Sequence, residues 1–228
     1  MKEWTKDEWL SDIMGKPCFN LMANEEKESD MRLPELSKGS FYSAKIRPDN
    51  VYSVRKLLVN GFTLVDTNVT FRAEKITTIA SKARVAAPGD EFRVRELASG
   101  SFTQSRFHND SNIPNDLANR IKGEWAGNFF KGRRGDFMMV SERQEQVVGF
   151  LQGMFNSGKM IIDLIGVDSE FRGQGCGKEM IDLAWQLNSA NCHEVEVGTQ
   201  LGNATSIAFY QGLGFSLSSS NYVFHKHT

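Results

Sequence analysis

Ile161-Ile-Asp-Leu-Ile-Gly-Val-Asp-Ser-Glu-Phe-Arg172-Gly-Gln-Gly-Cys-Gly-Lys178 decides the fold, together with the amphipathic run Glu179 to Leu187 that follows it. An apolar strand enters Arg-Gly-Gln-Gly-Cys-Gly and leaves as a helix. That order places several unobstructed backbone N–H groups at a helix N-terminus, where the partial positive charge favours a diphosphate. Gly173 and Gly175 permit positive φ and close backbone approach, Gly177 lets the first helical turn lie near a ligand, and Arg172 adds charge. The spacing is neither the Walker pattern nor the Gly-x-Gly-x-x-Gly dinucleotide fingerprint.

The rest of the chain is a cytoplasmic-type protein by composition. Its 228 residues allow one large or two small domains, and 40% hydrophobic content with 16 Phe is ample for a core. Basic and acidic residues, 27 and 28, leave a formal charge of −1 with no Lys/Arg block, so neither a nucleic-acid nor a membrane footprint is expected. Cys18, Cys176 and Cys192 lack metal spacing and are odd in number, which suits a reducing compartment. Met1 to Leu10 is charged and holds two Trp, unlike a secretion signal, and no apolar run reaches membrane-spanning length.

Upstream, Asn24 to Asp30 reads as a polar loop, Phe41 to Ile46 as a strand, Asp49 to Asn60 as a helix, and Phe62 to Phe71 as two strands around a turn. Asn50-x-x-Ser-Val, then Gly61-Phe-Thr-Leu-x-x-Thr-Asn68-x-x-Phe71, reappears as Asn203-x-x-Ser-Ile, then Gly214-Phe-Ser-Leu-x-x-Ser-Asn221-x-x-Phe224. A helix-turn-hairpin unit therefore occurs twice. The first copy has no glycine loop and carries Leu57 where the second has Tyr210, so residues 1–80 read as a degenerate lobe and 81–228 as the working domain.

In that second domain the order is a strand at Arg84 to Ala87, a helix after Asp90, and a helix over Ile113 to Phe129 with Leu117, Ile121, Trp125 and Phe129 on one core-facing stripe. Three strands to Val167, the glycine loop and its helix, a strand Glu194 to Thr199, a helix Ala204 to Gly212 and a closing hairpin Phe215 to His227 complete it. His225 and His227 read as exposed edge residues, without zinc or triad spacing.

The loop after Val167 and this element order resemble the GNAT superfamily of N-acetyltransferases. The resemblance implies an α/β (α+β) fold, a mixed, mostly antiparallel sheet flanked by helices, here preceded by a half-GNAT lobe. It implies acetyl-CoA as cosubstrate and no metal. By position it assigns the diphosphate and pantetheine to Ile165, Gly166, Val167, Arg172, Gly173, Gln174, Gly175, Cys176, Gly177, Lys178 and Asn203, and proton donation to the departing thiolate to Tyr210, seven residues after Asn203 on the same helical face. The base stays open among Asp163, Glu194, Glu196 and ordered water.

Ser101-Phe-Thr-Gln-Ser-Arg-Phe107, Ala126 to Gly132 and Thr199 to Asn203 are further similar to those N-acetyltransferases that act on TDP-linked 4-amino-4,6-dideoxy sugars for bacterial surface polysaccharides. That likeness implies a nucleotide-sugar amine as acceptor, with Arg106 on its diphosphate and Phe107 stacked on sugar or base. Another small-molecule or peptide amine, or a binding module without turnover, are the competing readings, and a homodimer is among the assemblies left open. Arg106, Arg120, Lys122, Arg133 and Arg134 cluster in the acceptor region and Tyr210 is retained, which favours the sugar-nucleotide reading.

Overall fold

The computed structural model describes residues 4–22, 36–76 and 82–228. In chain order the strands and helices are β1 (Thr5–Lys6), α1 (Glu8–Met14), β2 (Cys18–Met22), β3 (Phe41–Ile46), α2 (Val51–Val59), β4 (Thr63–Ala73), β5 (Arg84–Val85), α3 (Glu91–Ser101), α4 (Asn115–Phe130), β6 (Phe137–Arg143), β7 (Gln146–Asn156), β8 (Lys159–Val167), α5 (Cys176–Asn188), β9 (Glu194–Gln200), α6 (Ala204–Gly212) and β10 (Ser216–His227). The polar loop expected at Asn24 to Asp30 and the division expected near residue 80 lie outside the described residues.

All ten strands form one sheet in the order β1-β2-β3-β10-β4-β9-β8-β7-β6-β5. Strands from both sides of the expected division interleave in it, with β10 between β3 and β4, and β4 between β10 and β9. Helix α5 packs on one face over Met180, Ile181 and Ala184, which join Val69, Phe71, Val197 and Tyr210 in the main core. On the other face, Val94, Leu97 and Ala126 of α3 and α4 cover Met138, Val140 and Phe150.

The repeat in the sequence is a repeat in the structure. Asn50 and Asn203 cap α2 and α6 by accepting from Ser53 N–H at 3.0 Å and Ser206 N–H at 3.1 Å. Gly61 (φ 76°) and Gly214 (φ 87°) end the two helices, and the Phe62 and Phe215 N–H groups donate back to Leu57 and Tyr210 carbonyls. Each unit then sends out one long strand. β4 and β10 pair antiparallel with Asn68 opposite Asn221, and the register shifts fall at Val65 and Ser218, equivalent positions in the two copies. A pseudo-two-fold axis between the asparagines relates the copies.

Two expectations are corrected here. Phe62 to Phe71 and Phe215 to His227 were read as strand pairs around turns, because Thr67-Asn68 and Ser218 to Asn221 have turn composition; each run is instead the middle of one continuous strand, whose polar backbone the other copy's strand pairs. As a consequence β10 is interior to the sheet, and His225 is 1% exposed instead of lying on an open edge.

Candidate active site

The strand pairing around β8 opens a slot. β8 and β9 run parallel and pair only over Lys159–Ile162 with Glu194–Val197, so the two separate beyond Ile162. On its other side β8 stays paired with β7 through Val167, with a bulge that leaves Asp163 unmatched between Ile162 and Leu164. The Asp168 N–H donates to Val148 O of β7 at 2.8 Å. Backbone groups alternate sides along a strand, so those of Val167 and Ile165 face the opening; the Val167 carbonyl accepts there from Arg172 Nε at 3.1 Å, and an extended ligand can pair with the remaining groups as a further strand.

A cavity of about 660 Å³ follows this slot from the glycine loop to Tyr210. Of the residues expected to hold acetyl-CoA, Ile165, Gly166, Val167, Arg172, Gly173, Gly175, Cys176, Gly177, Lys178 and Asn203 line it, together with Ser101 to Ser105 and Gln200. Gly173 and Gly175 have φ of 76° and 81° with nothing within 4 Å of an added Cβ, so the loop backbone is bare toward a ligand. Helix α5 starts there, with the Glu179 N–H donating to Gly175 O, so that the amides of Cys176 and Gly177 precede the first intrahelical bond. A Cβ on Gly177 would come within 3.0 Å of the Phe209 ring, so close packing of α5 against α6 is the further reason for glycine. Bare amides at a helix start, an unpaired strand edge and an open slot fit a diphosphate followed by a pantetheine arm.

Three residues sit differently from their expected roles. Gln174 does not line the cavity; its amide nitrogen donates to Glu170 O at 3.3 Å and its carbonyl accepts from Arg143, which ties the loop down. Cys176 borders the cavity but is buried, with its Sγ directed to Phe171 O at 3.8 Å. Asn203 borders the cavity with its side-chain oxygen engaged as the α6 cap.

Tyr210 lies at the inner end of the cavity, 3% exposed, in van der Waals surroundings set by Phe71, Phe209 and Phe215. Burial raises its phenol pKa well above the usual tyrosine range. The group therefore holds its proton at any ordinary pH.

A second cavity of about 610 Å³ lies beyond Ser105. Arg106, the next residue, lines it with Asp7, Trp9, Asp12, Asn20, Ser43, Lys45, Trp125, Asn128, Arg133 and Arg134. Its floor is β2 and β3 and its roof is α4 with the turn that follows. The N-terminal segment, which carries no chemistry by its sequence, builds half of this wall. Trp125, packed against the core as expected of the α4 stripe, also borders this cavity. Arg120, expected with the basic cluster, instead donates to Ile13 O and ties α4 to α1.

Asp163 organises the roof. It accepts from Trp125 Nε1 at 2.7 Å and from Arg134 Nε and Nη2 at 2.6 and 2.7 Å, while the Arg134 guanidinium stacks over Trp125 at 4.5 Å. These donors occupy both carboxylate oxygens. Glu194 and Glu196 are likewise engaged by Lys159, at the closed end of the β8–β9 pair. Asp66, not singled out from sequence, shares a sheet row with Lys45 through Val223, and burial raises its pKa.

Phe107 is also corrected. It is 1% exposed and packs beneath the Arg106 guanidinium at 4.5 Å, so it offers no face to a sugar or base and serves to hold Arg106. The same loop is anchored by Asp110, which accepts from His225 Nδ1 at 2.7 Å, His227 Nε2 at 2.9 Å and the Asn112 N–H at 2.9 Å. Burial would raise its pKa, but these three donors hold it far below the carboxylate range.

A spore coat polysaccharide biosynthesis protein, SpsD, of Bacillus subtilis is 34% identical over 139 residues, 60% of this chain and 48% of its own length. A dTDP-fucosamine acetyltransferase of Escherichia coli is 27% identical over 206 residues, 87% of this chain and 88% of its own. The chain thus spans about half of the first relative. Among solved structures, a GCN5-related N-acetyltransferase from Sphaerobacter thermophilus superposes with a TM-score of 0.60 at 17% identity, covering 83% of this chain and 60% of that one, a likeness of fold. Residues 94–215, from α3 through the glycine loop and α6 to Phe215, match the acetyltransferase family built around this slot, and the chain belongs to the acetyltransferase (GNAT) family.

Proposed function

We propose that the protein transfers the acetyl group of acetyl-CoA to the amine of a nucleotide-linked amino-deoxy sugar, of the TDP-4-amino-4,6-dideoxyhexose class, in cytoplasmic synthesis of a surface polysaccharide. The observation that carries this reading is a pair of cavities bordered by the adjacent residues Ser105 and Arg106, one lined by Tyr210 and the other by arginines. The names of the polysaccharide and dTDP-fucosamine relatives support the acceptor class.

Acetyl-CoA supplies an activated acyl carbon and a thiolate that needs a proton on leaving. The Gly173–Gly177 amides and α5 hold its diphosphate, the outward backbone groups of Ile165 and Val167 pair with its pantetheine arm, and Tyr210 gives the proton. Asp66, with its raised pKa, takes the proton from the acceptor amine, directly or through water. Arg106 meets the acceptor's diphosphate.

The test is thiol release by purified protein with acetyl-CoA and either a nucleotide-linked amino sugar or the same free sugar. Turnover confined to the linked form is expected. Equal rates on the free sugar, or turnover only on peptide or polyamine substrates, would favour the second reading, a small cationic amine held by Asp7 and Asp12, which also line the acceptor cavity.

A further inference from the structure

Among the described residues, three cations beside the second cavity make no ion pair. Arg106 donates only to Ser43 Oγ and leans on Phe107. The Lys122 ammonium rests between the rings of Phe102, which lines the first cavity, and Trp125, which lines the second, at 4.9 and 5.1 Å. Lys45 projects from β3 two residues beyond Ser43, into the same cavity. Among the described residues neither lysine has a hydrogen bond or an ion pair.

The neighbouring acids are spent elsewhere. Asp163 is engaged by Arg134 and Trp125, and Asp7 caps α1 through Leu10 N–H at 2.9 Å while accepting from Asn20 at 2.8 Å. Of the described acids, Asp12 on the cavity wall and Asp66, one strand removed from Lys45 across Val223, remain to face the three cations. The strain is visible in the lysines. Burial first, and then the charge of Arg106, bring Lys45 and Lys122 down to about 8, and burial brings Arg106 down to about 10.

We infer that Lys45, Arg106 and Lys122 form a single anion seat, which takes the diphosphate of the acceptor and to which the N-terminal segment contributes through Lys45. The inference deepens the acceptor assignment above and rests on it. Two phosphates match this charge better than one carboxylate, because a planar guanidinium can grip one phosphate while two ammoniums approach the other. The donor's diphosphate has its own loop in the other cavity, so the seat serves a second molecule.

The test uses the whole protein saturated with CoA, so that the glycine loop is filled, and follows binding of inorganic pyrophosphate and of TDP by calorimetry and thermal melting. Both anions should bind at one site and raise Tm. Lys45→Met should melt higher than wild type without anion, since a repulsive charge is gone, yet bind pyrophosphate at least tenfold more weakly and lose the anion-dependent rise; Lys45→Arg should restore both. Lys122→Met gives the same readout should Lys45→Met fail to fold. Unchanged pyrophosphate affinity in both variants would overturn the seat. If pyrophosphate binds as described but no nucleotide-linked amine is acetylated, the seat stands and the acceptor assignment falls. If such an amine is acetylated with the same KM in wild type and Lys45→Met, the seat falls and the acceptor assignment stands.

Discussion

Tyr210 can act as a proton donor because its surroundings are aromatic, and one of the three rings against it, Phe71, comes from the first copy of the repeat. Desolvation keeps the phenol neutral, and under the proposed role its loss would remove proton transfer while leaving the cofactor slot intact. Tyr210→Phe should lower kcat by roughly 10²-fold with an unchanged acetyl-CoA dissociation constant; unchanged turnover would demote the residue to packing. Because its pKa is raised, the alkaline limb of the wild-type kcat profile should lie above the usual tyrosine range, and a limb near pH 8 would have to belong to another group. At Gly175 the argument is conformational. With φ at 81°, any side chain strains the turn before it meets a ligand, so Gly175→Val should weaken acetyl-CoA binding at least tenfold in calorimetry and lower Tm, with Gly175→Ala doing less of both.

The strand β10 shows where sequence reading stops. Local signals are strong at the glycine loop, at the Asn50 and Asn203 caps and at Gly61 and Gly214, because each works within a few residues of its own position, and these elements appear where the spacing puts them. The Asp110–His225–His227 cluster has no such signal, since its members are brought together by a strand insertion across more than a hundred residues. The same insertion turned His225 from an edge residue into a buried one and made Lys45 a cavity residue. The cluster carries a pH prediction. Burial lowers the His225 pKa from 6.5 to about 4, against the opposing pull of its hydrogen bond to Asp110, with Arg106 and His227 adding charge nearby. The unfolded chain thus binds a proton that the folded one refuses between these values, and stability should fall as pH drops from about 6.5 toward about 4. Denaturant midpoints for wild type and His225→Asn across that window test it: the variant should lose part of the acid slope, and an identical slope would remove His225 from the account.

At the scale of the whole molecule, the two copies of the β-α-β unit exchange their last strands, and this makes each half a structural part of the other. β10 pairs on one side with β3 over Phe41–Ile46 and on the other with β4 over Thr63–Arg72, both from the first copy. β4 in turn supplies the neighbour of β9 from Asn68 to Ala73, reaching Gln200, which lines the same cavity as Tyr210. A fragment of residues 82–228 would therefore hold the glycine loop and Tyr210 but leave β9 with one open edge and β10 with two, exposing Phe224 and Val223, which are buried in the intact chain. Such a fragment should aggregate or lack native tertiary structure by near-ultraviolet circular dichroism, and should not bind acetyl-CoA. Co-expression with residues 1–81 should recover a soluble complex that binds it, since the pairing does not depend on a covalent link at the junction. A lone fragment that folds and binds acetyl-CoA with wild-type affinity would mean that β10 can return to the edge of its own copy, beside β9, and that the exchange is an alternative to a self-sufficient second half.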